Sequence, residues 1–157
     1  MKTKITLKKW SLLFFIPVFI FGVCSKEDGE FKTPNADQYV TWKISGASGN
    51  LQVPSDTLKL DYFGGATSIF GVTPPPGTTS FSISFTGAQQ AGTYAARYSY
   101  VITNGKYYVP SATRIQINVT NYGSTGQYVI GNYSGHVKDS ATSATMSVSG
   151  EFRIKKP

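Results

Sequence analysis

The chain has 157 residues, of which 14% are aromatic and 15% charged, and a formal net charge of +7. Four of the 15 basic residues precede Cys24 and none of the eight acidic residues does, so the remainder carries 11 basic and eight acidic residues, a charge of +3. No run of basic residues remains apart from Lys155-Lys156, which excludes a phosphate-binding stripe and therefore a nucleic-acid partner.

The first 23 residues have the pattern of an export signal. Lysines at positions 2, 4, 8 and 9 precede an apolar run over residues 10–23, and the sequence becomes polar immediately after Cys24. The apolar run is too short to span a bilayer comfortably and is interrupted by Pro17. We therefore predict that the signal peptide 1–23 is removed and that Cys24 becomes the first residue of the mature protein.

Two short motifs around this cysteine carry a resemblance to known proteins. Phe21-Gly22-Val23-Cys24 resembles the lipobox of bacterial lipoproteins, in which signal peptidase II cuts before a diacylated cysteine. Lys26, Glu27 and Asp28 resemble the lysine-plus-two-acids signal that sends Bacteroidota lipoproteins to the cell surface. The resemblance implies that fatty chains such as palmitate on Cys24 anchor the protein in the outer membrane, with the domain exposed at the surface.

Residues 24–38 and 39–157 differ sharply in pattern. The first segment is polar, contains Pro34 and Asn35, and predicts a flexible tether. In the second, apolar residues alternate with polar ones, which predicts strands with one buried face. The predicted strands are 39–45, 57–62, 66–72, 80–85, 94–102, 106–109, 113–121, 129–137 and 146–154. No segment has a helical period, so we predict an all-β antiparallel sandwich of eight or nine strands, with a small barrel as the alternative.

Aromatic side chains are the candidate ligand-binding groups, because sugar rings present C–H faces that pack on aromatic rings. The alternation assigns several of them to the buried face: Trp42, Tyr94, Tyr98 and Tyr100. Tyr107 and Tyr108 follow the hairpin turn Asn104-Gly105 and point to opposite faces of one strand, so one of the two is expected to be exposed. Tyr107 and Tyr108 are therefore the candidate glycan-binding residues.

The sequence contains no recognisable catalytic or metal-binding motif. His136 is the only histidine and Cys24 the only cysteine, whereas a metal site needs several converging ligands. Hydrolysis of a glycan needs two carboxylates that face one bond. Asp61 and Glu151 lie on predicted strands, but both fall at solvent-facing positions. We predict a protein without a cofactor, a metal or catalytic activity.

Two triplets resemble the Asp-Ser/Thr-apolar sequon for O-glycosylation of exported Bacteroidota proteins. They are Asp56-Thr57-Leu58 and Asp139-Ser140-Ala141, which makes Thr57 and Ser140 candidate glycosylation sites. Both triplets lie at predicted turns, where a modifying enzyme could reach the hydroxyl. The alternative is that each aspartate is a turn residue followed by the start of a strand.

Together these patterns predict a cell-surface outer-membrane lipoprotein, held to the membrane by its lipid anchor. Its β-sandwich would be a non-catalytic binding or structural module, and its ligand a glycan or another envelope protein. The first alternative is a periplasm-facing accessory subunit of an envelope assembly. The second is a glycan hydrolase that uses Asp61 and Glu151.

Overall fold

The computed structural model describes residues 36–157 except positions 46, 54 and 88, and this part of the chain is all β. It contains ten antiparallel strands. The strands are β1 (Tyr39–Ile44), β2 (Ala47–Gln52), β3 (Thr57–Phe63), β4 (Ala66–Val72), β5 (Ser80–Thr86), β6 (Gly92–Thr103), β7 (Lys106–Pro110), β8 (Gln116–Tyr122), β9 (Tyr128–Asp139) and β10 (Thr145–Lys155). None of the described segments is a helix long and apolar enough to cross a bilayer.

The strands form one sheet that folds over on itself. Its hydrogen-bonded order is β2-β1-β10-β9-β7-β6-β5-β4-β3, and β8 pairs with both β6 and β9. Trp42 of β1 stacks on Phe81 of β5 with ring centroids 6.3 Å apart, although the two strands are distant in this order. Phe81 also contacts Tyr133 of β9 at 5.6 Å. The two layers enclose one hydrophobic core, and the predicted antiparallel β-sandwich is confirmed.

The core follows from alternation along the strands. In β4 and β5 every second residue is buried, and the residues between them are exposed or half-buried. Phe81, Ile83 and Phe85 of β5 are all fully enclosed. Because the only cysteine in the sequence is Cys24, no disulfide supports the fold, and burial of apolar surface at about 25 cal/mol per Å² is its main stabilising contribution.

The strand β2 is not predicted by the sequence pattern. Its sequence, Ala-Ser-Gly-Asn-Leu-Gln, contains turn-forming residues and a single large apolar side chain, Leu51. It nevertheless pairs with β1 over six residues, and Leu51 is buried against Gly71 of β4. Pairing with a neighbouring strand therefore outweighs the weak local preference, and the sheet has ten strands where eight or nine are predicted.

A bulge in β6 changes which side chains face the core. Two consecutive residues of β5 pair with Tyr98 and Ala96, so β6 has one extra residue at this point. Ala96 faces the core before the bulge, and Ser99 and Val101 do so after it. The prediction that Tyr98 and Tyr100 point inward is wrong, because the bulge reverses the alternation and places both on the outer face.

Candidate ligand-binding site at a strand break

The strands β7 and β8 are two halves of one interrupted strand. Both pair with β6 on one side and with β9 on the other, at successive positions along these two strands. Pro110 at the end of β7 pairs with Val137, and Gln116 at the start of β8 pairs with Ser134. Five residues of the connection, 111–115, therefore lie opposite only two residues of β9. The sheet has a break at this point, which we call the strand break.

Local sequence explains why the strand is interrupted. Pro110 has no N–H group with which to continue a ladder. The Ser111 hydroxyl accepts a hydrogen bond from the Thr113 N–H at 3.2 Å and donates to the Thr113 carbonyl at 3.1 Å, which closes a tight turn. Ile115 then returns to the core, and its backbone lies so close to β9 that a Cβ at Gly135 would be 2.7 Å from the Ile115 Cα.

A cleft of about 200 Å³ opens at the strand break. Its walls include Arg97, Tyr98 and Ser99 of β6, Arg114 of the connection and His136 of β9. A second cleft of about 500 Å³ is lined by the same two arginines and by Thr86, Thr93, Tyr94 and Ala95. Because Arg97 and Arg114 line both, the two clefts adjoin.

The polar groups of the smaller cleft are not neutralised within the described part of the chain. Arg97 and Arg114 are exposed, and among the described residues neither has an ion-pair partner. No described aspartate or glutamate lines either cleft. Ser99 also lines the cleft, but its side chain faces the core and its Oγ is buried. The site therefore offers hydrogen-bond donors and positive charge.

Three tyrosines on the outer face of β6 and β7 lie beside this cleft, and we call them the tyrosine cluster: Tyr98, Tyr100 and Tyr107. The Tyr98 and Tyr100 rings meet edge to face at 5.8 Å, and those of Tyr100 and Tyr107 are 6.1 Å apart. Tyr98 is 49% exposed and Tyr107 39%. The pKa of Tyr98 is raised by desolvation and then by the neighbouring phenols, first that of Tyr107. Since Tyr98 also lines the cleft, the aromatic and cationic surfaces are continuous.

The two tyrosines that the sequence singled out have different environments. Tyr107 belongs to the exposed tyrosine cluster. Tyr108 is 1% exposed, because it lies on the inward face of β7 opposite Val101 and Asp139. The expectation that one of the pair is exposed is confirmed, but Tyr108 cannot present its ring to a ligand. Its candidacy as a binding residue is therefore corrected.

The two candidate glycosylation residues, Thr57 and Ser140, are both exposed. The preceding aspartates have structural roles. Asp56 accepts a hydrogen bond from a backbone N–H at 2.8 Å, and the Oδ1 of Asp139 accepts two within the turn that follows β9. These bonds explain an aspartate at each position without a modification. Modification of the two hydroxyls stays a prediction.

The remaining predicted residues do not form a second site in the described structure. Asp61 and Glu151 are exposed on the outer faces of β3 and β10, and neither lines the two clefts at the strand break. Within residues 36–157, apart from the three omitted positions, no group of three or more His, Cys, Asp or Glu residues could hold a metal ion. Cys24 and the export signal 26–28 lie outside the described residues.

The sequence analysis did not identify Arg97 and Arg114 as site residues, and it assigned Tyr98 to the buried face. A proline between two short alternating segments is a signal of an interrupted strand. The sequence does not reveal that β6 and β9 flank the break, because that depends on pairing between distant segments. Comparison of the chain with models of protein families, with known proteins and with solved structures gives no match in any of the three.

Proposed function

We propose that the protein is a cell-surface outer-membrane lipoprotein whose β-sandwich is a non-catalytic glycan-binding module. The observation that supports glycan binding is the tyrosine cluster. Tyr98 and Tyr107 expose a large part of their rings on the outer face of a sheet, where a sugar can pack its C–H groups on them. Exposed aromatic rings that contact one another are costly to hydrate, so a ligand that covers them gains apolar burial.

The tyrosine cluster is also held in place before any ligand binds. The strand β6 is hydrogen-bonded to β5 on one side and to β7 and β8 on the other. The Ser80 hydroxyl donates a 3.3 Å hydrogen bond to the Tyr100 hydroxyl, which restricts the central ring. Rings fixed on strands lose little conformational entropy on binding, which favours affinity for a ligand with many weak contacts.

A glycan array with the full chain in detergent micelles tests this function. We expect binding to a subset of polysaccharides, and the Tyr98→Ala and Tyr107→Ala variants should each weaken it about tenfold, since one stacked ring contributes about 0.5–1.5 kcal/mol beyond its buried area. Tyr62→Ala is the matched control, because Tyr62 is 44% exposed but lies on β3. Uniform absence of binding across the array contradicts the glycan function and favours a protein partner.

The lipid anchor is tested separately in cells. Replacing Cys24 with Ala should abolish labelling with palmitate and release the protein from the membrane fraction, because the anchor is then missing. Replacing Lys26, Glu27 and Asp28 with Ala should preserve acylation but reduce digestion of the protein by protease added to intact cells. Retention of the Cys24→Ala variant in membranes contradicts the anchor. Protection of the wild-type protein from external protease favours the periplasm-facing alternative.

A further inference from the structure

Two arginines, Arg97 and Arg114, line the cleft at the strand break. The ladder between β6 and β8 ends at the pair Ala95↔Gln116, and the next residues along are joined by a 2.8 Å backbone hydrogen bond. Arg97 and Arg114 are the next residues after this hydrogen-bonded pair, so they lie near one another where the ladder ends. Both residues line the same two clefts.

An arginine pair in this arrangement is unfavourable unless an anion compensates it. Like charges directly opposite on adjacent strands destabilise a sheet. No described acidic residue lines the clefts, and neither arginine has an ion pair within the described part of the chain. Arg97 and Arg114 therefore leave two uncompensated guanidinium groups whose planar N–H donors match a carboxylate or sulfate.

Other groups of the same cleft fit a sugar that carries such an anion. Tyr98 contributes a ring to the wall, and His136 a further polar group. The volume of about 200 Å³ is smaller than the ~300–1,000 Å³ typical of pockets for drug-sized molecules. It is suited to one residue of a longer chain.

We propose that the cleft at the strand break binds an acidic residue of a glycan. The carboxylate or sulfate lies between Arg97 and Arg114, and the sugar ring packs against Tyr98. The rest of the glycan continues over Tyr100 and Tyr107 on one side and into the larger cleft on the other. This inference rests on the proposed glycan-binding function and adds the charge of the ligand and the residues that recognise it.

The test compares polymers that differ in charge. The full chain in detergent micelles is titrated with polygalacturonate, dextran sulfate and uncharged dextran, at low and high ionic strength. We expect binding to at least one of the two polyanions that weakens as salt rises, and about tenfold weaker binding by Arg97→Gln and by Arg114→Gln. The two polyanions distinguish a carboxylate from a sulfate. Lys59→Gln, which removes an exposed charge from the outer face of β3, is the matched control and should bind as the wild type does.

A second measurement needs no ligand. Because like charges repel, Arg97→Gln and Arg114→Gln should each raise the melting temperature of the unliganded protein at low ionic strength, and the increase should shrink in high salt. A lower melting temperature for both variants overturns the inference that the two arginines repel each other in the unliganded protein.

The outcomes separate this inference from the proposed function. Equal binding of dextran and the polyanions, weakened by Tyr98→Ala but unchanged by the arginine variants, overturns the acidic-glycan site and leaves a glycan-binding module. Loss of binding to every polysaccharide overturns both. Tighter binding of a thymidine oligonucleotide than of either polyanion, with the same dependence on Arg97 and Arg114, also overturns the acidic-glycan site.

Discussion

Replacing Tyr133 with Phe removes a buried polar contact between the strands of the core. Tyr133 of β9 is buried, and its hydroxyl donates a 2.6 Å hydrogen bond to the backbone carbonyl of Thr41 in β1. The Thr41 hydroxyl accepts a hydrogen bond from the Glu151 N–H at 2.9 Å and donates to the Glu151 carbonyl at 3.3 Å. The phenol is therefore part of a small network that joins β9, β1 and β10 across the sheet.

The effect of Tyr133→Phe should depend on pH. At neutral pH the variant loses the hydrogen bond and is less stable by about 1–2 kcal/mol. Burial raises the pKa of Tyr133 well above its ordinary value of 10.0. The protonated phenol therefore contributes its full stabilisation below about pH 10, and this is lost as the pH rises, because only the unfolded chain then releases the proton. Above that pH the wild-type protein loses about 1.4 kcal/mol of stability per pH unit relative to the variant. The free energies of unfolding of the wild type and of Tyr133→Phe should therefore become equal near pH 11.

Urea unfolding followed by the fluorescence of the buried Trp42 measures this difference at about pH 7 and about pH 11. The other tyrosines titrate in both proteins, so their contributions largely cancel in the comparison. The reasoning is refuted if the variant is as stable as the wild type at neutral pH. A deficit that stays constant up to pH 11 also refutes it, because the phenol would then ionise without unfolding.

Three further predictions concern the fold. Gly150→Ala should lower the free energy of unfolding by about 3 kcal/mol or more, because a Cβ would overlap the Thr41 carbonyl of β1 and the Tyr133 hydroxyl. Gly126→Ala has open space around it and a φ of +81°, so it should lower the free energy of unfolding by only about 1–2 kcal/mol in the same urea titration. Asp139→Ala should lower the free energy of unfolding by about 1–2 kcal/mol, and Asp139→Asn, which keeps the oxygen that accepts two backbone N–H groups, by much less; equal losses contradict this role. Phe85→Ala should lower the free energy of unfolding by about 3–5 kcal/mol, because the side chain is buried in the core. Phe63 is 89% exposed, so Phe63→Ala should change the free energy of unfolding little, and a large decrease for this variant contradicts the exposed position.

The parts of the fold that were predictable from the sequence depend on local pattern. The alternation over residues 66–72 and 80–85 predicts two strands, and the structure has strands at Ala66–Val72 and Ser80–Thr86. The same holds for the last two strands, which are predicted at 129–137 and 146–154 and which bury Tyr133, Val137 and Phe152. These segments were predictable because each strand has one buried and one solvent-exposed face. Apolar and polar residues therefore alternate along the segment, and this alternation can be read without knowing the distant partners of the strand.

The parts that were not predictable depend on distant partners. The sequence of β2 has little strand preference. The strand forms because it hydrogen-bonds to β1 along its length and because Leu51 packs in the core. The bulge in β6 is set by its register with β5, and it moves Tyr98 and Tyr100 from the predicted inner face to the outer one. Of the candidate site, only Tyr107 was therefore identified from sequence as a member of an exposed aromatic surface.

The outer face of the sheet gives a further reason to regard the strand break as a binding site. Elsewhere on this face, directly paired residues are often neutral and polar, as in Ser68↔Ser84, Asn118↔Asn132 and Ser134↔Ser149. Such pairs hydrogen-bond to water and to each other at little cost. Arg97 and Arg114, which line one cleft beside the exposed Tyr98, are a different case, because like charges that lie close together on adjacent strands repel each other. The anion of the proposed ligand would offset this repulsion, and a ligand that binds only to the folded state stabilises it increasingly as the ligand concentration rises above Kd.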